Sequence, residues 1–185
     1  MKTTYIITLI LLIATVIIGF TTLLYRYYKD KLELISKKLN NAQDEFNEKL
    51  NTKYDLTIKL IKLVQTKFKI ESKLFEDVKN INKDSLNTAK SDKLLNKCYK
   101  EIIQIKEDNQ KNKELKSFRE LIDKYEDNEL NIISLRTYSN KYILIFNNMI
   151  KKFPYNIISK FKKYKIKTLI EGKELDTNFN NDLEV

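Results

Sequence analysis

The chain contains no histidine, no tryptophan, one cysteine, one proline and two glycines in 185 residues. Without histidine, imidazole acid–base catalysis, Cys–His nucleophilic pairs and the usual zinc clusters cannot be built from this chain alone. The shortage of glycine and proline removes most turn-formers, while lysine, leucine, isoleucine, glutamate and asparagine, all compatible with long helices, abound. The expectation is an all-α protein with one anchoring segment and one domain of roughly 130–160 residues. The lone Cys98 fits a reducing compartment.

One long stretch lacks charge altogether. Residues 5–24, YIITLILLIATVIIGFTTLL, would form a helix about 30 Å long, the thickness of a bilayer's hydrocarbon layer. The rival reading is a cleaved signal peptide, whose apolar core would be about 7–15 residues and would precede a small-residue cleavage site. Here LLYRYYKDK follows a longer run. Tyr5 at one end and Tyr25, Tyr27 and Tyr28 at the other suit the membrane interface. Lys2 is the one basic side chain before the span, whereas Arg26, Lys29, Lys31, Lys37 and Lys38 follow it. Positive flanks stay cytoplasmic, so the N-terminus is expected outside and the bulk of the chain inside.

Beyond the span, four helical seams are legible. Tyr28, Leu32, Ile35, Leu39, Ala42 and Phe46 alternate spacings of four and three, and the membrane helix is expected to run straight into this seam. After NTKYD at 51–55, which offers caps, a second seam has Leu56, Leu60, Val64, Phe68, Leu74, Phe75 and Val78. A third, after NKDS at 82–85, has Leu86, Leu94, Leu95, Cys98, Ile102 and Ile105. The fourth runs from Glu114 to Phe153 with Phe118, Ile122, Tyr125, Ile132, Ile143, Phe146, Ile150 and Phe153, after the solvated connection 106–114. Short polar connections favour antiparallel neighbours, so the reading is an up-down-up-down four-helix bundle whose last helix returns to the membrane. The domains are then an anchor at 1–25, a helical bundle at 26–170 and an acidic disordered tail at 171–185.

The bundle's end is where acidic residues vanish. From Lys151 to Lys167 there are seven lysines and no Asp or Glu, interleaved with aromatic and aliphatic side chains. Lys151, Lys152, Phe153, Lys160, Phe161, Lys162, Lys163, Lys165 and Lys167 form a candidate membrane surface. Each basic residue near an anionic leaflet adds about 1 kcal/mol. The plainer alternative is that the aromatics cover the open end of the bundle and the lysines face water. Nucleic acid is not expected as a partner, because the chain is tethered and lysine greatly outnumbers the arginine that base recognition favours.

The residues Glu129, Ile132, Arg136, Asn140, Ile143, Phe146, Asn147, Ile150, Phe153, Pro154 and Asn156 fall at the fixed intervals of a known pattern. Together with Ala42, Phe46, Leu50, Tyr54, Asp55, Leu56 and Leu60 they resemble the LemA family, bacterial membrane-anchored helical proteins. The chain departs from that pattern at Ser139, Phe146 and Tyr155, and earlier at Gln43 and Ile58, so it looks like a divergent member. The resemblance implies one N-terminal span, an extracellular N-terminus, a mainly cytoplasmic helical domain and no established activity.

Independently of the family, Glu129, Arg136, Asn140 and Asn147 lie on or beside the fourth apolar stripe, where an unpaired charge would be costly. A buried network of Asp55, Glu129, Arg136, Asn140 and Asn147 that fixes helix register is expected, with Asp55 as partner of Arg136. Cys98 reads as core filler. No catalytic residue, cofactor or metal is expected. The functional expectation is a non-enzymatic scaffold for a protein partner, with homo-oligomers left open; the alternative is a small polar ligand or a metal in the bundle interior.

Overall fold

The computed structural model describes residues 2–82, 86, 89–109 and 116–172. It is all-α, with no strand among the described residues: α1 (Lys2–Phe68), α2 (Lys73–Lys79), α3 (Ala89–Asp108), α4 (Lys116–Met149) and α5 (Tyr155–Phe161).

The largest departure from expectation is that the first two seams share one helix. No proline interrupts residues 2–68, and the apolar spacing carries on through Phe46, Leu50, Lys53, Thr57, Leu60 and Val64. The polar residues at 51–55 do not cap anything. Thr52 donates its hydroxyl to the Glu48 carbonyl at 3.0 Å, and Thr57 does the same to Lys53 at 2.8 Å, so both close back on their own helix. The helix ends instead at Phe68, where Lys69 takes a left-handed conformation with φ of 56°. Ser72 then caps α2 by accepting from the Leu74 amide at 3.2 Å, and α2 buries Phe75 and Val78, residues assigned to the second seam.

Two compact units divide the chain. One takes residues up to Asn40 together with Lys141–Thr168. In it α1 and α4 run antiparallel, since Leu32 clusters with Phe146 and Ile150 while Lys38 lies over the Tyr142 ring. α5 joins this cluster through Ile158, and Tyr155 packs edge-on against Tyr28 at 5.1 Å between ring centroids. The other unit takes Asn41–Asn140 and the chain from Leu169. Here the amide of Asn128 donates to the Lys49 carbonyl and Phe68 meets Phe118, again antiparallel. Tyr99 stacks on Tyr125 and Asp92 reaches Arg136, so α3 also opposes α4. This unit is built on three long helical stretches and the short α2, in place of the expected four-helix up-down arrangement. Its core joins Leu60, Ile61, Val64, Phe75, Val78, Leu95, Cys98, Ile102, Phe118 and Tyr125.

The fourth helix, Lys116–Met149, ends short of the expected 153, which leaves Phe153 off the helix and exposed instead of on the seam. Cap residues 83–85, the connection at 110–114 and the tail from 173 lie outside the described residues.

Candidate functional site

Four charged side chains meet inside the larger unit. Lys53 of α1 is buried, and its ammonium donates to Asp92 Oδ1 at 2.7 Å and Asn96 Oδ1 at 2.9 Å, with Glu129 Oε2 at 2.6 Å. The same ammonium stands 5.8 Å above the Tyr125 ring. Asp92 uses its other oxygen, Oδ2, to accept from Arg136 Nη2 at 3.0 Å. Two cations and two carboxylates therefore balance in charge. Such balance is what a buried charge needs, since an uncompensated one costs several kcal/mol. The quartet joins α1, α3 and α4.

The expected pairing of Arg136 with Asp55 is overturned. Asp55 is exposed on α1, and the partner is Asp92, one position from the α3 core face formed by Ser91, Leu95 and Cys98. Glu129 pairs with Lys53 rather than with Arg136. Lys53, Asp92 and Asn96 were not singled out from sequence. A signal for Lys53 existed, because it sits three after Leu50 and four before Thr57 on an unbroken buried stripe.

Asn140 and Asn147 do something other than join that quartet. Each grips the backbone of the non-helical segment after α5 with two hydrogen bonds. Asn140 Nδ2 donates to the Ile170 carbonyl at 3.0 Å while its Oδ1 accepts from the Ile170 amide at 2.8 Å. Asn147 makes the same bracket on Lys167, at 2.8 and 2.9 Å. Past Ile170 the chain crosses Arg136 at Gly172, which has a φ of +135°, and a side chain there would collide with the guanidinium. Phe46 lies beneath the same guanidinium at 5.5 Å.

Of the candidate membrane-surface residues, Lys151, Lys152, Phe153, Lys160, Phe161, Lys162, Lys163 and Lys165 are exposed. Lys167 is half-buried and donates to Asn40 Oδ1 at 3.1 Å, so it serves the fold. Lys162 pairs with Glu33 at 3.2 Å, and that hydrogen bond, with the carboxylate's charge, raises its pKa.

Three weak acids, buried Cys98 and Tyr125 and half-buried Tyr99, have raised pKa values. Burial, with Glu101 nearby, pushes the Cys98 thiol up to about 12, so the thiol form dominates at neutral pH. Burial and the charges of Glu129 and Asp92 raise Tyr125; burial and a hydrogen bond to Glu126 raise Tyr99. Among the described residues no three His, Cys, Asp or Glu side chains gather as a metal site. A separate open cleft of about 690 Å³ lies between α2 and α3, lined by Asp77, Asn80, Lys90, Lys93, Leu94 and Lys97.

At the N-terminus, α1 carries one stretch long and apolar enough to cross a membrane, and none of it is buried by the rest of the protein. It is compatible with a single-pass membrane protein. No curated protein and no solved structure matches the chain. The model of the LemA family matches residues 42–181, most of the chain and all four residues of the quartet, and the protein belongs to the LemA family.

Proposed function

We propose that this is a non-enzymatic, single-pass membrane protein that holds a helical module at the cytoplasmic face as a docking scaffold for a protein partner. The carrying observation is the continuity of α1, one helix from the apolar span to Phe68, which passes directly from anchor to module. Among the described residues, the charged quartet is internally neutralised and Cys98 is buried, which supports a non-enzymatic reading. Arg26, Lys29 and Lys31 after the span, against Lys2 before it, favour the module inside.

Cys98 is too deeply buried to report topology, so the test uses a Cys98→Ala background with Thr4→Cys or Leu130→Cys; Leu130 is 61% exposed. In intact cells an impermeant maleimide should label Thr4→Cys and spare Leu130→Cys until the membrane is permeabilised. The reverse pattern overturns the reading. The second reading, a small polar ligand, finds its support in the α2–α3 cleft with Lys90, Lys93 and Lys97 rather than in the quartet. A small anion that raises the melting temperature of the wild type but not of Lys93→Ala/Lys97→Ala would favour it.

A further inference from the structure

Phe153 and Phe161 are each 77% exposed, and Ile157 between them is also exposed. They recur every fourth residue, and Lys151, Lys152, Lys160, Lys163 and Lys165 surround them, all exposed. Two bare phenylalanines in a small unit call for a covering surface, and the cations around them specify its charge.

The level of this patch follows from α1. The apolar run ends at Leu24, and a helix rises 1.5 Å per residue, so Tyr28 lies about 6 Å and Leu32 about 12 Å beyond it. Tyr155 packs on Tyr28, Ile158 joins the Leu32 cluster, and Lys162 pairs with Glu33. The headgroup layer of one leaflet is about 5–8 Å thick. α5 is thereby fixed at the outer edge of the headgroups, on the same unit as the span. Its lysines stand within about one Debye length of the lipid phosphates.

The cap of α5 adds a second observation. The Tyr164 amide donates to the Ser159 carbonyl at 2.9 Å and the Lys163 amide to the Lys160 carbonyl at 3.2 Å, a Schellman turn. Its left-handed position, with φ of 55°, is usually glycine; here it is Lys163. A cation stands where backbone conformation alone would favour none.

We infer that α5 and its flanks are an interfacial dock for anionic phospholipid, with Phe153, Ile157 and Phe161 reaching into the headgroup layer, the membrane's interfacial boundary, and the free lysines meeting phosphates. This rests on the anchoring reading and names the partner of one further surface. Aromatic side chains favour that boundary, and each cation near it contributes about 1 kcal/mol. With the span holding α5 in place, the dock pays no entropy of encounter. It would set the angle at which α1 leaves the membrane.

Because the natural chain has no tryptophan, Phe161→Trp and Leu130→Trp each give a single-fluorophore, full-length protein. Both are reconstituted into nanodiscs of zwitterionic lipid or of zwitterionic lipid with an anionic phosphatidylglycerol fraction, with acyl-brominated quencher lipid. The expected result is blue-shifted, bromine-quenched emission from Phe161→Trp, stronger with the anionic lipid, weakened by high salt, and lost with Lys151→Glu/Lys152→Glu/Lys160→Glu. Leu130→Trp should stay water-like throughout. Equal spectra in both lipids, or a shift that follows protein concentration as for a second copy covering the patch, overturn the dock. Loss of the protein from the nanodisc fraction would instead refute anchoring.

Discussion

Arg136 and Asp92 are joined by a 3.0 Å hydrogen bond with the guanidinium only 1% exposed, and Asp92 also holds Lys53 through its second oxygen. One carboxylate thus answers for two buried cations on two helices. Asp92→Asn should take from Arg136 the carboxylate it bonds and leave Lys53 with Glu129. Breaking a buried pair in this way costs about 3–5 kcal/mol, which for a chain of this size lowers the melting temperature on the order of 10 °C. Arg136→Met should cost less, because Asp92 keeps Lys53. Adding Arg136→Met to Asp92→Asn should recover part of the loss; a strictly additive double mutant would show that the pair does not interact.

The continuity of α1 makes its own prediction. Asn51 is exposed and lies mid-helix in the stretch whose composition looks like a turn. Asn51→Pro removes an amide hydrogen bond and clashes with the preceding turn, so it should destabilise by about 3 kcal/mol. In a true loop at 51–55 the same change would be nearly silent. Urea unfolding followed by circular dichroism separates the two.

The contrast between α1 and α4 shows what could be read in advance. Apolar spacing located Leu32, Leu39, Phe46, Leu60, Ile132 and Phe146 correctly, because a helix exposing one face must repeat near 3.6 residues. It failed at 51–55, because Thr52 bonds equally well to its own helix as at a cap, and sequence does not say which. Arg136 was legible as a buried cation from its place on the stripe. Its partner was not, since Asp92 lies 44 residues away and comes into reach only once α3 has packed. The brackets of Asn140 and Asn147 were equally hidden: their targets are backbone groups, which carry no residue signature.

Three acids with raised pKa values set an alkaline limit. Cys98 is raised from 9.0 to about 12, and Tyr99 and Tyr125 are raised as well. Their neutral forms are favoured in the folded state, and the unfolded chain binds fewer protons once pH passes the ordinary values. Stability from these groups is therefore complete below about pH 9 and falls as pH rises toward 12. Cys98→Ala should shallow this alkaline slope without changing its sign. At pH 7.5 the native thiol should resist maleimide and react on unfolding in urea; rapid labelling of native protein would contradict its burial.

The Asn brackets can be tested without unfolding the molecule. Each contributes two hydrogen bonds of about 1 kcal/mol net, so Asn140→Ala should loosen the segment at Ile170 by about 1–3 kcal/mol and speed exchange of that amide roughly 10–100-fold. The Asn140→Asp variant keeps an acceptor for the Ile170 amide but turns a carboxylate oxygen toward the Ile170 carbonyl, so it should not rescue. Gly172→Ala should open the same segment from its far end, because the added methyl collides with Arg136 and the φ of +135° disfavours any side chain. If all three changes leave Ile170 exchange at the wild-type rate, the segment is held neither by Asn140 nor by the fit of Gly172 against Arg136.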